Sequence, residues 1–336
     1  MSRMLRRDFL KATPAAAGLA AYAVGVRAEM PAEPASAAAN PRISDTQYTP
    51  VADYPIQPKR HWDVTLDDGF WRPRVDTNAR VTIPFQFQKA EGNFRGLNSN
   101  ILEAAMRSLK THPDPALEAQ VETAVQRLLQ RPARGNADFE VASVRFELTG
   151  NRDLLDAAIR DAAALYDDFK TRNPPFSGGE RDATNCIQLY RITHDRRHLD
   201  LAKHYLDIRG LPNSVNRSRH NQSYMPVLEQ RDAVGHAVNC VTLMVSLVDA
   251  GVLTRLEPYF EAGHRLWSDA VSRKMYVTGG VGATGNEGFG RPYALPNISA
   301  YSETCAVLMF MTLNQRLFMA TGDGRYIDVM ERGMYN

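Results

Sequence analysis

The sequence predicts a mainly α-helical protein made of stacked helical hairpins, arranged as an open solenoid or a closed ring. Three observations carry that reading. A degenerate turn recurs: Leu148-Thr149-Gly150-Asn151-Arg152-Asp153-Leu154 returns as Ile192-Thr193-His194-Asp195-Arg196-Arg197-His198 and as Ala320-Thr321-Gly322-Asp323-Gly324-Arg325-Tyr326. The first two copies lie 44 residues apart and the third 128 further on, close to three times that period. Glycine suits a helix C-cap and Asn or Asp the next N-cap, so each copy reads as helix, short turn and antiparallel helix. The second observation is apolar residues at helical spacing through most of the chain. The third is the scarcity of strand-like runs, only 62–65 and 274–278.

In chain order, the N-terminus reads as a targeting signal. Arg6-Arg7-Asp8-Phe9-Leu10-Lys11 is a twin-arginine pattern, followed by an alanine-rich apolar run and Val26-Arg27-Ala28 at cleavage spacing. Residues 1–28 are therefore expected to be a signal that engages the twin-arginine export machinery. The mature protein is expected in the periplasm or secreted, with no membrane anchor after cleavage. Residues 29–56, rich at first in Ala, Pro, Ser and Asn, read as a disordered linker. The folded domain is expected over 57–336. Helices are expected over 116–130, 139–148, 152–170, 197–208, 231–252, 255–272 and 301–320. In 116–130, Leu117, Val121, Ala124, Val125 and Leu128 share one face, whereas 301–320 is apolar nearly all round and reads as an inner helix. No segment after the leader is expected to cross a membrane.

Charge excludes one class of partner. The whole chain has 40 basic and 38 acidic side chains, net +2. The leader holds five of the bases and one acid, so the remainder carries 35 bases and 37 acids, net −2. The basic balance belongs to the leader and gives no argument for nucleic acid. Cys186, Cys240 and Cys305 show no CxxC spacing, and three thiols cannot all pair within one chain.

The segment richest in chemistry is Tyr276-Val277-Thr278-Gly279-Gly280-Val281-Gly282-Ala283-Thr284-Gly285-Asn286-Glu287-Gly288-Phe289-Gly290. Six glycines surround one acid, Glu287, and let the backbone turn tightly and approach a ligand. Glu287 is free there for proton transfer. Sixteen residues on, Tyr301-Ser302-Glu303-Thr304-Cys305 places a carboxylate and a thiol two positions apart. In extended backbone these point the same way and could share a metal, most plausibly zinc. His236, after Gly235 and at the head of an apolar stretch, could contact a sugar hydroxyl. Each feature also has a plain reading: a glycine turn, a surface acid beside an inert thiol, and a structural capping histidine.

Taken together, Phe70-Trp71-Arg72-Pro73-Arg74, the run from Glu229-Gln230 to Val238, the glycine-rich loop with Glu287, and Tyr301-Ser302-Glu303-Thr304-Cys305 resemble glycoside hydrolase family 127, the β-L-arabinofuranosidase-type enzymes. The resemblance spans roughly residues 57–336. It implies an (α/α)6-barrel-like helical toroid, followed in the family by β-sandwich domains. It implies a retaining glycosidase with a glutamate acid/base, a cysteine nucleophile, and a zinc held by one Glu and three Cys. Carried over, Glu287 matches the acid/base, His236 and Tyr301 substrate-binding positions, and Glu303 and Cys305 two zinc ligands. The implied partner is a carbohydrate with terminal furanosyl residues, as in plant or cell-surface glycans.

The departures set further expectations. The family's Cys-Cys pair is not reached by Asn336, so no nucleophile is assigned and the toroid is expected to be incomplete at its C-terminal end. Zinc is expected to bind weakly or not at all. A family Gly-His-Glu-Glu-like segment stands here as Ser177-Gly178-Gly179-Glu180-Arg181-Asp182, with Gly179 where a sugar-binding histidine is implied. The segments near 96–100 and 134–136 look shortened. The expected outcome is an impaired glycosidase. The alternatives are a non-catalytic carbohydrate-binding remnant and a truncated product without a stable fold.

Overall fold

The computed structural model describes residues 40–43, 46–90, 99–130 and 139–336. The expected leader, residues 96–98 of the segment near 96–100 read as shortened, and residues 134–136 lie outside them. The helices are α1 (Trp71–Thr77), continued by a π-turn (Asn78–Thr82) into α2 (Ile83–Ala90), then α3 (Ser99–Leu109), α4 (Pro115–Leu129), α5 (Phe139–Thr149), α6 (Asp153–Thr171), α7 (Asp182–Thr193), α8 (Arg196–Ile208), α9 (Ala237–Thr254), α10 (Glu257–Arg273), α11 (Thr304–Thr321) and α12 (Arg325–Tyr335). Among the described residues there is no strand, only one isolated antiparallel bridge, His236 with Gly288.

The fold is an all-α toroid of hairpins in two layers. Helices α3, α5, α7, α9 and α11 pack side by side in order, and α4, α6, α8, α10 and α12 lie behind them. Sequence explains the layering. The centre of the inner layer, α9, has apolar or small residues round its whole circumference and is buried along most of its length. Outer helices such as α8 and α12 are strongly one-sided. By length and composition α9 is apolar enough to cross a membrane, which corrects the expectation that no later segment qualifies, but it is 83% buried within the protein. Trp71 Nε1 lies 3.4 Å from the Tyr335 hydroxyl, so the first described helix meets the last.

The recurring turn has one geometry. Gly150, His194 and Gly322 adopt left-handed backbone. In each copy the preceding threonine hydroxyl accepts the N–H two residues on, at 3.1–3.2 Å for Thr149, Thr193 and Thr321. Asp195 and Asp323 then accept from the first turn of the next helix, at 2.9 and 3.0 Å. A fourth copy, invisible in the sequence, joins α9 to α10. Arg255 is left-handed at φ 58° and Leu256 N–H reaches Thr254 Oγ1 at 3.3 Å.

Four more expectations are corrected. Residues 40–43 and 46–56, assigned to the linker, pack onto the helices: Tyr48 donates to Asp200 at 2.6 Å, Tyr54 to buried Asp249, and Asp53 pairs with Arg191 at 2.6 Å. Single aromatic and acidic anchors hold a tail whose composition reads as unstructured. Residues 62–65 are not a strand, since His61–Asp63 is a short 3-10 turn. Residues 274–278 form a turn closed by Gly279 N–H on Tyr276 O at 2.9 Å. Finally, α9 and α11 begin at 237 and 304 rather than 231 and 301, which matters for the site.

Candidate active site

The inner helices begin at one end of the hairpin stack, and the candidate site lies there. His236 is the N-cap of α9. Its Nδ1 accepts the Asn239 backbone N–H at 3.3 Å, satisfying one of the unpaired donors of the first turn. That bond fixes the tautomer: the lone pair is on Nδ1, so the hydrogen is on Nε2, which donates to Glu287 Oε2 at 2.7 Å. The bridge between His236 and Gly288 sets the register, with Ala237 N–H on Glu287 O at 2.8 Å and Phe289 N–H on Gly235 O at 2.9 Å. Gly235 is required. At φ +73° its Cβ would stand 1.9 Å from the Arg219 carbonyl oxygen.

Glu287 is itself left-handed, at φ 64°. The turn that holds it is closed by Thr284, whose hydroxyl accepts Gly288 N–H at 3.1 Å. Tyr293 and Ser302 are also left-handed non-glycine residues, so three such positions crowd one loop system. Backbone held off its preferred basins is a feature of functional sites. The Tyr301 hydroxyl donates to Glu287 Oε1 at 2.9 Å. Both carboxylate oxygens thus receive a hydrogen bond. The Tyr301 bond, then the His236 bond, hold Glu287 below the ordinary carboxylate range. The same contact raises the Tyr301 phenol.

Glu303 is the N-cap of α11, and its carboxylate lies within 4.8 Å of the His236 and Glu287 donor atoms. Cys305 is in the first turn of α11 and exposed. The extended i, i+2 geometry expected for Glu303 and Cys305 is therefore replaced by a helix start, and Cys305 is not part of the three-residue donor cluster. His236, Glu287, Tyr301 and Glu303 do come together. Two neighbours escaped the sequence reading, His220, whose ring meets His236 edge-on at 5.4 Å, and Asn239; Glu180, within the segment marked above as departing from the family pattern but given no role there, accepts from Asn239 Nδ2 at 3.1 Å.

Glu303 and Cys305 are two ligands, whereas a closed site takes four and a catalytic one three plus water. Within the donor cluster, Glu287 is engaged on both oxygens and His236 Nδ1 is spent as a helix cap. Cys186 and Cys240 are buried, and burial pushes the Cys240 thiol up to about 12.

Comparison with known proteins bears on the family and the fold. The family model described as β-L-arabinofuranosidase, GH127 catalytic domain, matches residues 138–336, more than half of the chain. The chain belongs to the GH127 family. It is 26% identical over 290 aligned residues to a non-reducing end β-L-arabinofuranosidase of Bifidobacterium longum subsp. longum, covering 70% of this chain and 44% of that protein. Among solved structures it is similar to a GH127 β-arabinofuranosidase, with 29% identity, a TM-score of 0.74, and coverage of 85% of this chain and 55% of that one. A GH127 β-L-arabinofuranosidase from Geobacillus stearothermophilus T6 gives 26% identity, a TM-score of 0.69, and coverage of 81% and 55%. The chain spans about half the length of these relatives.

Proposed function

We propose that this chain forms the sugar-binding and proton-transferring part of a β-L-arabinofuranosidase acting on terminal furanosyl residues of glycans, with Glu287 as the acid/base. The observation that carries the reading is the double clasp on Glu287. His236 Nε2–H and the Tyr301 hydroxyl fix both oxygens of an otherwise accessible carboxylate at the open end of the helices. In the free protein these donors favour the ionised form. A sugar seated over Glu287 removes water, and desolvation raises the carboxyl pKa toward the range of a proton donor. Glu287 then protonates the leaving glycosidic oxygen and, in the second half of a retaining reaction, takes a proton from water. Tyr301 can reverse its bond and accept from protonated Glu287, whereas the capped tautomer of His236 only donates. The proton is therefore carried on Oε1.

Turnover by these 336 residues alone is expected to be weak. Cys240 is held as a thiol by burial, Cys186 is buried, and Cys305 stands apart from the donor cluster. Two donors, Glu303 and Cys305, are expected to hold zinc weakly or not at all. Metal analysis after dialysis tests this, and one tightly held zinc per chain would overturn it. Export to the periplasm rests on the Arg6-Arg7 pattern and is tested by fractionation with Arg6 and Arg7 replaced by Lys. The functional test is calorimetry with methyl β-L-arabinofuranoside together with release of an aryl aglycone. Binding that survives Glu287→Gln, with any turnover abolished, supports the proposal. A chain that ignores the glycoside refutes it.

A further inference from the structure

We infer that Glu180 is a further substrate-binding residue of this site, a carboxylate that accepts hydrogen bonds from sugar hydroxyls. The inference rests on the arabinofuranosidase reading and adds a specificity-determining group to it. Glu180 stands two residues before α7, the inner helix beside α9. One oxygen, Oε1, accepts from Asn239 Nδ2 at 3.1 Å. Asn239 also supplies, from its backbone, the N–H that fixes His236. One residue in the first turn of α9 thus positions two side chains, the imidazole that clasps Glu287 and the carboxylate of Glu180.

The second oxygen of Glu180 has no hydrogen-bond partner among the described residues, and the residue is exposed at the open end of the helices. A carboxylate anchored through one oxygen and open at the other is prepared to accept from a hydroxyl. The loop beneath is fixed as well. Arg209 is buried at 4% exposure, and its Nη2 donates to the Gly179 carbonyl at 2.5 Å, immediately before Glu180. Arg209 stacks on Phe176 at 4.7 Å; burial lowers its guanidinium to about 10, partly opposed by the charges of Asp182 and then Glu180. Glu180 also lies near enough to the buried Arg209 to offset part of its charge, so the test must separate contact with sugar from that electrostatic role.

The test is calorimetry on the full 336-residue chain with methyl β-L-arabinofuranoside and its monodeoxy analogues, using Glu180→Ala, Glu180→Gln and Asn239→Ala. Losing a hydrogen bond to a charged acceptor is expected to weaken binding by about tenfold or more in Glu180→Ala. Glu180→Gln, which keeps a carbonyl for Asn239, is expected to fall between. One deoxy analogue should bind wild type more weakly yet lose nothing further in Glu180→Ala, a coupling that a merely structural role does not produce. Binding by Glu180→Ala within twofold of wild type, or equal further loss with every analogue, overturns the inference while leaving the parent reading intact. No binding by wild type sinks both.

Discussion

Asp269 is 36 residues from Ala233 in sequence, yet it sets the chain that leads into His236. Its Oδ2 accepts the Ala233 N–H at 2.8 Å and pairs with Lys274 Nζ at 2.7 Å, with the two side chains 2% and 3% exposed. Lys274 Nζ also donates to Ala233 O at 2.8 Å, and Arg273 pairs with the other carboxylate oxygen. Asp269→Asn keeps an acceptor for Ala233 but leaves a buried ammonium without its counter-charge. Breaking one side of a buried pair costs about 3–5 kcal/mol, against a total stability of about 5–15 kcal/mol for a typical domain. We expect a loss of about 3 kcal/mol. Removing both charges in Asp269→Asn/Lys274→Met leaves the Ala233 carbonyl orphaned, a cost of about 1–3 kcal/mol, while Arg273, which is partly exposed, keeps Asp232 at 3.3 Å. The double variant should therefore be no less stable than the single one. Urea unfolding followed by circular dichroism reads both values. The reasoning fails if Asp269→Asn lies within about 1 kcal/mol of wild type, or if the losses measured for Asp269→Asn and for Lys274→Met alone add within about 0.5 kcal/mol in the double variant.

Three further outcomes are expected. Tyr301→Phe removes the first cause of the lowered Glu287 pKa, so a carbon-detected titration should show that carboxyl moving up toward its ordinary range; no upward movement contradicts the clasp. Gly235→Ala should lower stability by about 1–3 kcal/mol through strain at φ +73°, measured by thermal unfolding. It should also displace His236 and cost glycoside affinity, because the added Cβ meets backbone 1.9 Å away. Burial lowers His198 from 6.5 to about 4. A folded-state pKa below the unfolded one gives stability that is full above pH 6.5 and is lost as pH falls toward 4, by up to about 3 kcal/mol. His198→Gln should flatten that part of the stability–pH profile.

The hairpin period was legible because Gly150, Gly322 and the Asp or Asn after the turn are local signals, each residue acting on backbone within a few positions. The fourth copy was not, because Arg255 has no chemical preference for the left-handed conformation that packing imposes on it. The early start drawn for α11 has a similar cause. Tyr301 continues the apolar pattern, but Ser302 at φ 41° breaks the helix and leaves Glu303 as its cap. Glu287 was found from the glycines around it, and His236 and Tyr301 from their place beside marked segments. Asn239 was not found and Glu180, though inside a marked segment, was given no role, since their bond joins residues 59 apart. The tail at 40–56 was missed for the same reason: Tyr48 and Tyr54 act through partners more than 150 residues away.

The position of the site follows from the architecture. An inner helix such as α9 is buried along most of its length, but its first turn exposes N–H groups that must find acceptors. Every inner helix starts at the same end. Arg181, the N-cap of α7, reaches Asn100 in the first turn of α3 and Glu140 in the first turn of α5, each at 3.2 Å. His236 caps α9 and Glu303 caps α11. Helix N-termini carry partial positive charge and favour nearby anions by about 0.3–1 kcal/mol each. Glu180, Glu287 and Glu303 therefore gather where the backbone offsets part of their mutual repulsion. The division of labour has a testable sign. Substitutions in the middle of α9 should change stability with little effect on the Glu287 titration, whereas Asn239→Ala, at its first turn, should change sugar binding with little effect on stability.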